Sequence, residues 1–360
     1  MRMAIQGIGL SGGFGQGVKA LQKALQQGTV APQPTIVERS SGVDSFPAYR
    51  SDIEGLYEFF PKRALRRIDH FSKMTLHSAC LALQDAGLLE SDRSRTGVVI
   101  ASGYGAMKTT FDFLDSYLDF GYSCSSPTHF SNSVHNAAAA HVSMQLQATA
   151  PSLTVTQFEM SVPSALLTAQ LWLVEGRVDQ VLFGAVDEYC EVLRYCRKQF
   201  FGEGEAGPVA PLDFDRQSAV VGEGAAFFVL SKATEQAAAY ACIDTVTLGN
   251  HAAWPLTLPE DDRLIIGADG HKTCADWYRQ TLSGRRVAAY APLYGSFPAA
   301  AGFDLAVAAL SLRDGNFYQE ALLGTAAPKA TPVSPLAAGE RLSCLKFGPG
   351  GDYGLIQLAR

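Results

Sequence analysis

Apolar residues along this chain gather in short runs of strand length. Met3–Ile8, Thr96–Ala101, Leu153–Thr156, Gln180–Phe183, Ala225–Leu230, Cys242–Val246, Leu264–Gly267, Val287–Tyr290, Ser343–Phe347 and Gly354–Leu358 read as strands, several without polar alternation, as strands buried on both faces do. Between them the spacing turns helical. In Ala64–Ala86, Leu65, Ile68, Met74, Leu76, Cys80, Leu83 and Ala86 give an apolar face, and Gly87 stands where a left-handed cap falls. Met107–Phe120 brings Met107, Phe111 and Leu114 near one face, and Gly302–Asp314 carries Leu305, Val307, Ala308, Leu310 and Leu312 before stopping at Gly315. The alternation predicts stacked α/β layers around buried sheets. The chain shows no short-period repeat and no low-complexity linker. The region around Ala237–Cys242 is the expected seam between a longer first half, 1–240, and a shorter second half, 241–360.

Composition narrows the classes. The chain has 360 residues, 47% of them apolar, enough for one large α/β domain or two intimate halves. Its net charge is -6 and it shows no lysine- or arginine-rich stretch, which argues against nucleic acid and anionic membrane as partners. Seven scattered cysteines without CxxC read as buried reduced thiols, so no disulfide framework and no metal site are expected. The start, MRMAIQGIGLSGGFG, lacks the apolar core and cleavage site of a signal peptide, and no run is long enough to span a bilayer. A cytoplasmic protein is expected. Gly7, Gly9 and Gly12 form GxGxxG after a strand, yet no acidic residue follows a second strand at the required distance. The run GGFGQG suits a plain turn, and no cofactor is expected.

Five segments carry a resemblance. Ala210–Leu230, APLDFDRQSAVVGEGAAFFVL, is similar to the "PFD…R-G-GEGAG…L" run of the β-ketoacyl-acyl-carrier-protein synthases. AAAG (299–302) looks like that family's GAAG, FGPGGDY (347–353) like FGFGGTN, and SPTHFSNSVHN (126–136) like the "SP…N" approach to the nucleophile. The AGL ending of the early helix (86–88) agrees, so the resemblance covers nearly the whole chain. It implies a thiolase fold: two pseudo-symmetric βαβαβαββ-type halves in an α-β-α-β-α layered arrangement.

The family's chemistry needs a cysteine at a helix N-terminus, two histidines and two backbone N–H groups as an oxyanion hole. Counting from Asn136, or back from Gly176, puts Glu159 at the nucleophile position; Gln157 lies two residues away. Ser296 stands for the second histidine and Ala291 for the lysine before it. Ala268 stands for the first histidine, unless a three-residue slip places His271 there. Pro349 replaces the residue whose N–H completes the oxyanion hole, and proline has no N–H. One such donor is worth roughly a hundred- to a thousandfold in rate. Four losses at separate places, with the scaffold segments kept, lead to the expectation that no catalytic residue remains.

The resemblance then implies a chain-length factor, a non-catalytic subunit of the kind found in type II polyketide and aryl polyene systems. Its expected partner is an active ketosynthase, in a heterodimer, with an acyl carrier protein reached through that partner. Leu153, Thr154, Val155 and Thr156 match the strand that pairs across the family's dimer axis. Tyr104 and His129 match positions at the floor of the partner's acyl tunnel, with Met107, Phe111 and Leu114 on the helix that follows. Two alternatives stay open: a malonyl-carrier decarboxylase or ketosynthase variant using Glu159 with His271, and a homodimeric acyl-chain binding protein. No basic strip for an acidic carrier protein is evident. His271 otherwise reads as a histidine in a solvated loop.

Overall fold

The computed structural model describes the chain except residues 40–41, 203, 206, 235–238, 261 and 324–330, and it leaves undescribed the side chains of residues 37–39, 44 and 124. The strands are β1 (Met3–Gly12), β2 (Gly15–Gln16), β3 (Gln33–Arg39), β4 (Gly42–Ala48), β5 (Thr96–Ser102), β6 (Ser152–Thr156), β7 (Gln180–Asp187) and β8 (Gly224–Lys232). They continue with β9 (Cys242–Asn250), β10 (Arg263–Ile266), β11 (Arg286–Ala288), β12 (Asn316–Leu322), β13 (Thr331–Pro335), β14 (Leu342–Phe347) and β15 (Asp352–Ala359). The helices are α1 (Gly17–Gln27), α2 (His70–Asp85), α3 (Met107–Phe120), α4 (Pro127–Ser133) and α5 (Ala137–Gln145). After them come α6 (Ser161–Val174), α7 (Glu191–Phe201), α8 (Ala275–Leu282), α9 (Ala291–Tyr294) and α10 (Ala301–Asp314).

Strand polarity repeats along the sheet. From β1 outward the order β1-β8-β7-β5-β6 runs antiparallel, antiparallel, parallel, parallel. From β9 outward, β9-β15-β14-β10-β11 runs through the same sequence. The two runs join where Met3 and Ala4 pair with Ile243 and Cys242, and the β12–β13 hairpin extends the far edge. The interval expected to hold the seam, Ala237–Cys242, begins outside the described residues.

Side-chain alternation turns this sheet into layers. Val99, Ala101, Phe183 and Phe228 of the first run face a central core that also receives Ile265, Ala288, Cys344 and Ile356 of the second. Their neighbours Val98, Ile100, Leu182 and Phe227 face an outer core with α2 and α5, while Leu264, Ile266 and Leu345 face another with α8. Helices α6 and α10 fill the middle, which is why α10 buries every residue from Ala301 to Leu312. The arrangement is the α-β-α-β-α layering of the thiolase-type fold.

All ten expected strands form, and α3 and α10 stand where the pattern predicts. The long helix expected from Ala64 begins instead at His70. Residues 61–68 make successive three-residue turns (Ala64 N–H to Pro61 O, Leu65 to Lys62, Ile68 to Leu65), and Asp69 is extended. Three-residue turns bury Leu65 and Ile68 at the same spacing as a helix, so periodicity alone misplaces the start. Gly7 and Gly9 lie inside β1, where an added Cβ would come within 2.5 Å of Ala82 O and 2.0 Å of Ser78 O. They let α2 pack directly on the strand.

Candidate functional site

Glu159 sits in the single turn Phe158–Met160 that leads from β6 into α6. Phe158 just before it has φ of +46°, a conformation that a bulky side chain holds only under constraint. The N-terminal end of a helix favours an anion, and Glu159 supplies one where the resemblance places a thiol. Gln157 is exposed; its N–H donates to Ser161 Oγ at 2.7 Å and its side-chain oxygen accepts from Ser164 Oγ at 2.5 Å.

The second half brings Ala268, Asp269, Ala291 and Lys346 around one small void of about 10 Å³, room for at most a single water. Lys346 is the unexpected member. Its strand, LSCLKF, is otherwise apolar or small, and the ammonium is buried, donating to Gly267 O at 2.7 Å and lying 3.6 Å from Asp269 Oδ2. Burial favours the neutral amine, but Asp269 and Glu159 outweigh it and raise its pKa.

Arg197 of α7 closes the site from the first half. Its buried guanidinium donates to Tyr104 Oη at 3.1 Å, His271 Nε2 at 3.0 Å and Ser296 Oγ at 2.7 Å. Ser296 Oγ donates in turn to Asp269 Oδ2 at 2.7 Å. Burial works against the Asp269 carboxylate, yet Lys346, His271, the Ser296 hydrogen bond and Arg197 together hold its pKa well below the usual range. Asp269 thus meets Lys346 directly and Arg197 through Ser296, the compensation a buried charge requires.

His271 is not in a solvated loop. It is half-buried, stacked on Phe201 with centroids 4.0 Å apart, and Gln217's side-chain amide lies 2.7 Å from Nδ1. A guanidinium can only donate, so Nε2 must accept, and its lone pair is engaged. Burial lowers the imidazole pKa to about 4, helped by Arg197 and Lys346 and opposed by Asp269. Nearby Cys274 feels the charges of Lys346, Asp269 and Glu159. Burial pushes its thiol up to about 12, and it donates to Phe347 O at 3.5 Å. Neither a free base nor a thiolate results.

The FGPGG segment is a tight turn after β14. Pro349 is exposed at its tip, and the N–H groups of Gly348 and Gly351 are spent on Asp352 O (2.7 Å) and Gly348 O (3.0 Å). Asp187 ties the site's floor, accepting from Ser102 Oγ (2.8 Å) and from the N–H groups of Gly103 (2.9 Å), Tyr104 (3.2 Å) and Ala299 (2.9 Å). The structure therefore gathers Glu159, Ala268, Ala291 and Ser296 with Tyr104. Sequence reasoning missed Arg197, Asp269, Lys346 and Cys274. Lys346 was detectable as a charge inside an apolar strand; Arg197, on a polar helix, left no such mark.

The remaining expected positions lie toward one edge. β6 is an edge strand of the sheet, pairing among the described residues with β5 alone, and Leu153 is exposed while Thr154 and Val155 are half-covered. Met107, Phe111 and His129 are half-buried, whereas Leu114 is exposed. Around them α3, α4 and α5 expose Leu118 (76%), Phe120 (68%), Phe130 (58%) and Met144 (63%), more large apolar surface than a solvated face carries. Elsewhere Lys62, Arg63, Arg66 and Arg67 are all exposed in the turns before α2. That corrects the reading that no basic strip exists.

The fold and the arrangement around Glu159 define a ketosynthase-type protein of the thiolase class. The family described as "Beta-ketoacyl synthase, N-terminal domain" matches residues 2–236, and this chain belongs to it. A 3-oxoacyl-[acyl-carrier-protein] synthase 2 of Rhizobium meliloti is 27% identical over 210 residues, 55% of this chain and 50% of the relative. The chain spans between 14% and 59% of the length of the first four curated relatives. Among solved structures, a β-ketoacyl synthase from Burkholderia phymatum superposes with a TM-score of 0.80 at 16% identity, covering 100% of this chain and 99% of that one. A ketosynthase in complex with its chain length factor from Xenorhabdus doucetiae gives 0.77 at 14% identity, covering 99% and 97%. No helix among the described residues is long and apolar enough to cross a membrane.

Proposed function

We propose that this chain is a non-catalytic, chain-length-factor-like subunit that pairs with an active β-ketoacyl synthase and shapes the partner's acyl tunnel. The observation supporting it is the closed site. Where the resemblance requires cysteine, histidines and an open pocket, Arg197 bridges Tyr104, His271 and Ser296, and the gap between Tyr104, Arg197 and Ser296 is only about 10 Å³. The open β6 edge and the apolar surface of α3–α5 suit a partner of the same fold, which would cover both. Tyr104, Met107, Phe111, Leu114 and His129 would then lie beside that interface, with Phe111 limiting chain length. The exposed Lys62–Arg67 strip suits an acidic acyl carrier protein, so carrier docking to this subunit joins docking through the partner. We place the pathway with polyene-forming systems and the protein in the cytoplasm. The seam between the halves is proposed at 240/241.

Decarboxylation by Glu159 and His271 is disfavoured, because the imidazole's lone pair is held by Arg197. Co-expression with an intact ketosynthase, followed by native mass and malonyl-carrier elongation, tests the proposal. A one-to-one complex, active only while the partner keeps its cysteine, is expected. A self-paired chain that turns over malonyl carrier alone would overturn it.

A further inference from the structure

Arg197 and His271 also line a cavity of about 340 Å³, at the small end of the range for small-molecule sites. Arg194, Arg197 and Lys198 bring three cationic side chains to it from one face of α7; Phe46 of the β3–β4 hairpin and Val220 give it apolar walls. Among the described residues one carboxylate also lines it, Glu205, which is paired with Lys272 at 3.5 Å. Arg194 is the informative residue. Its guanidinium carbon lies over the Phe46 ring, 3.6 Å from the centroid, and its Nε is buried without a hydrogen-bond partner. Among the described residues no carboxylate or carbonyl accepts from that guanidinium. A guanidinium held over an aromatic ring keeps its N–H fork, which a pair of oxygens can satisfy with two parallel hydrogen bonds.

We infer that this cavity binds a small anion presenting two oxygens to Arg194, a carboxylate or a phosphate, with any apolar body lying against Phe46 and Val220. Arg197, fixed by Tyr104, His271 and Ser296, forms the floor, so occupancy would add an anion to the face of a guanidinium that otherwise meets only neutral partners directly. Every lining residue named here belongs to this one chain. Binding is therefore expected of the isolated protein and does not depend on a ketosynthase partner.

Calorimetric titration of the whole chain with hexanoate, inorganic phosphate and hexanol tests this. Hexanoate or phosphate should bind and hexanol should not; tighter binding of hexanoate assigns a carboxylate with an apolar tail, and tighter binding of phosphate assigns a phosphate group. Arg194→Gln should weaken the preferred anion roughly ten- to a hundredfold, the effect of one charge-assisted hydrogen bond lost. Arg194→Lys, which keeps the charge but not the fork, should fall in between. Phe46→Leu, which removes the stack and leaves the charge, gives an independent reading if Arg194→Gln folds poorly, and it too should weaken binding. Absence of binding by both anions, or unchanged affinity in the Arg194 and Phe46 variants, overturns the assignment.

Discussion

Arg197 explains more of this site than the missing cysteine does. A single guanidinium satisfies Tyr104, His271 and Ser296, and through Ser296 it reaches Asp269. Restoring one catalytic group should therefore achieve little. Glu159→Cys is expected to leave malonyl-carrier decarboxylation and elongation at the parent's level, since His271 has no free lone pair and Pro349 offers no N–H. The resemblance places an oxyanion donor at Pro349, and the loss of one such donor costs roughly a hundred- to a thousandfold. Turnover by that variant above the parent would mean that Glu159 by itself silences the site. Glu159 also acts on its neighbours: its charge helps raise the pKa of Lys346. At this scale the substitutions were legible one at a time, because each sits in a recognisable segment. Their replacement by an ion network was not, because Arg197, Asp269 and Lys346 come from separate parts of the chain.

Among the elements, β6 is an edge strand open to pairing. It is short, parallel to β5 and open along its other edge. Its exposed Leu153 and the apolar residues of α3 to α5 give a partner something to bury, whereas charge on that strand would repel one. Leu153→Asp is expected to abolish the one-to-one complex in native mass while leaving the melting temperature of the isolated chain within a few degrees. A complex that persists at parental affinity would remove β6 from the interface. The same strand was legible as a short β-prone run, but the turns at residues 61–68 were not separated from α2. The β3–β4 hairpin was also missed. Pro34 and Pro47 lie in its strands, where a two-stranded ribbon tolerates residues that a central strand does not.

For the whole molecule, three buried carboxyl groups set a response to pH. Burial raises Asp187 to about 6, Asp304 to about 7 and Glu188 to about 8, in the last case with Asp69 and Glu223 adding repulsion. A carboxyl whose folded pKa exceeds its unfolded value contributes stability at low pH and loses it as pH rises through the folded value. His271 and the buried His77, both lowered to about 4 chiefly by burial, act on the acid side: their contribution is present above about 6.5 and fades as pH falls toward 4. Glu188→Gln should therefore stabilise the protein by on the order of 2 kcal/mol at pH 8, with the gain shrinking toward pH 5. Urea midpoints at the two pH values measure this, and an equal shift at both would refute the assignment to Glu188.

The sequence by itself determined the strands, the central helices, the layered class and the family, because buried strands and helices write their periodicity directly into local order. It also carried the expectation that the thiol, the two imidazoles and one oxyanion donor are replaced, since each position is a single residue in a recognisable segment. Tertiary structure decided what stands in their place. Arg197 on α7, His271 in a loop and Lys346 on β14 meet only because two sheet runs of matching polarity close on a shared core, and charges separated in sequence become neighbours through that packing alone.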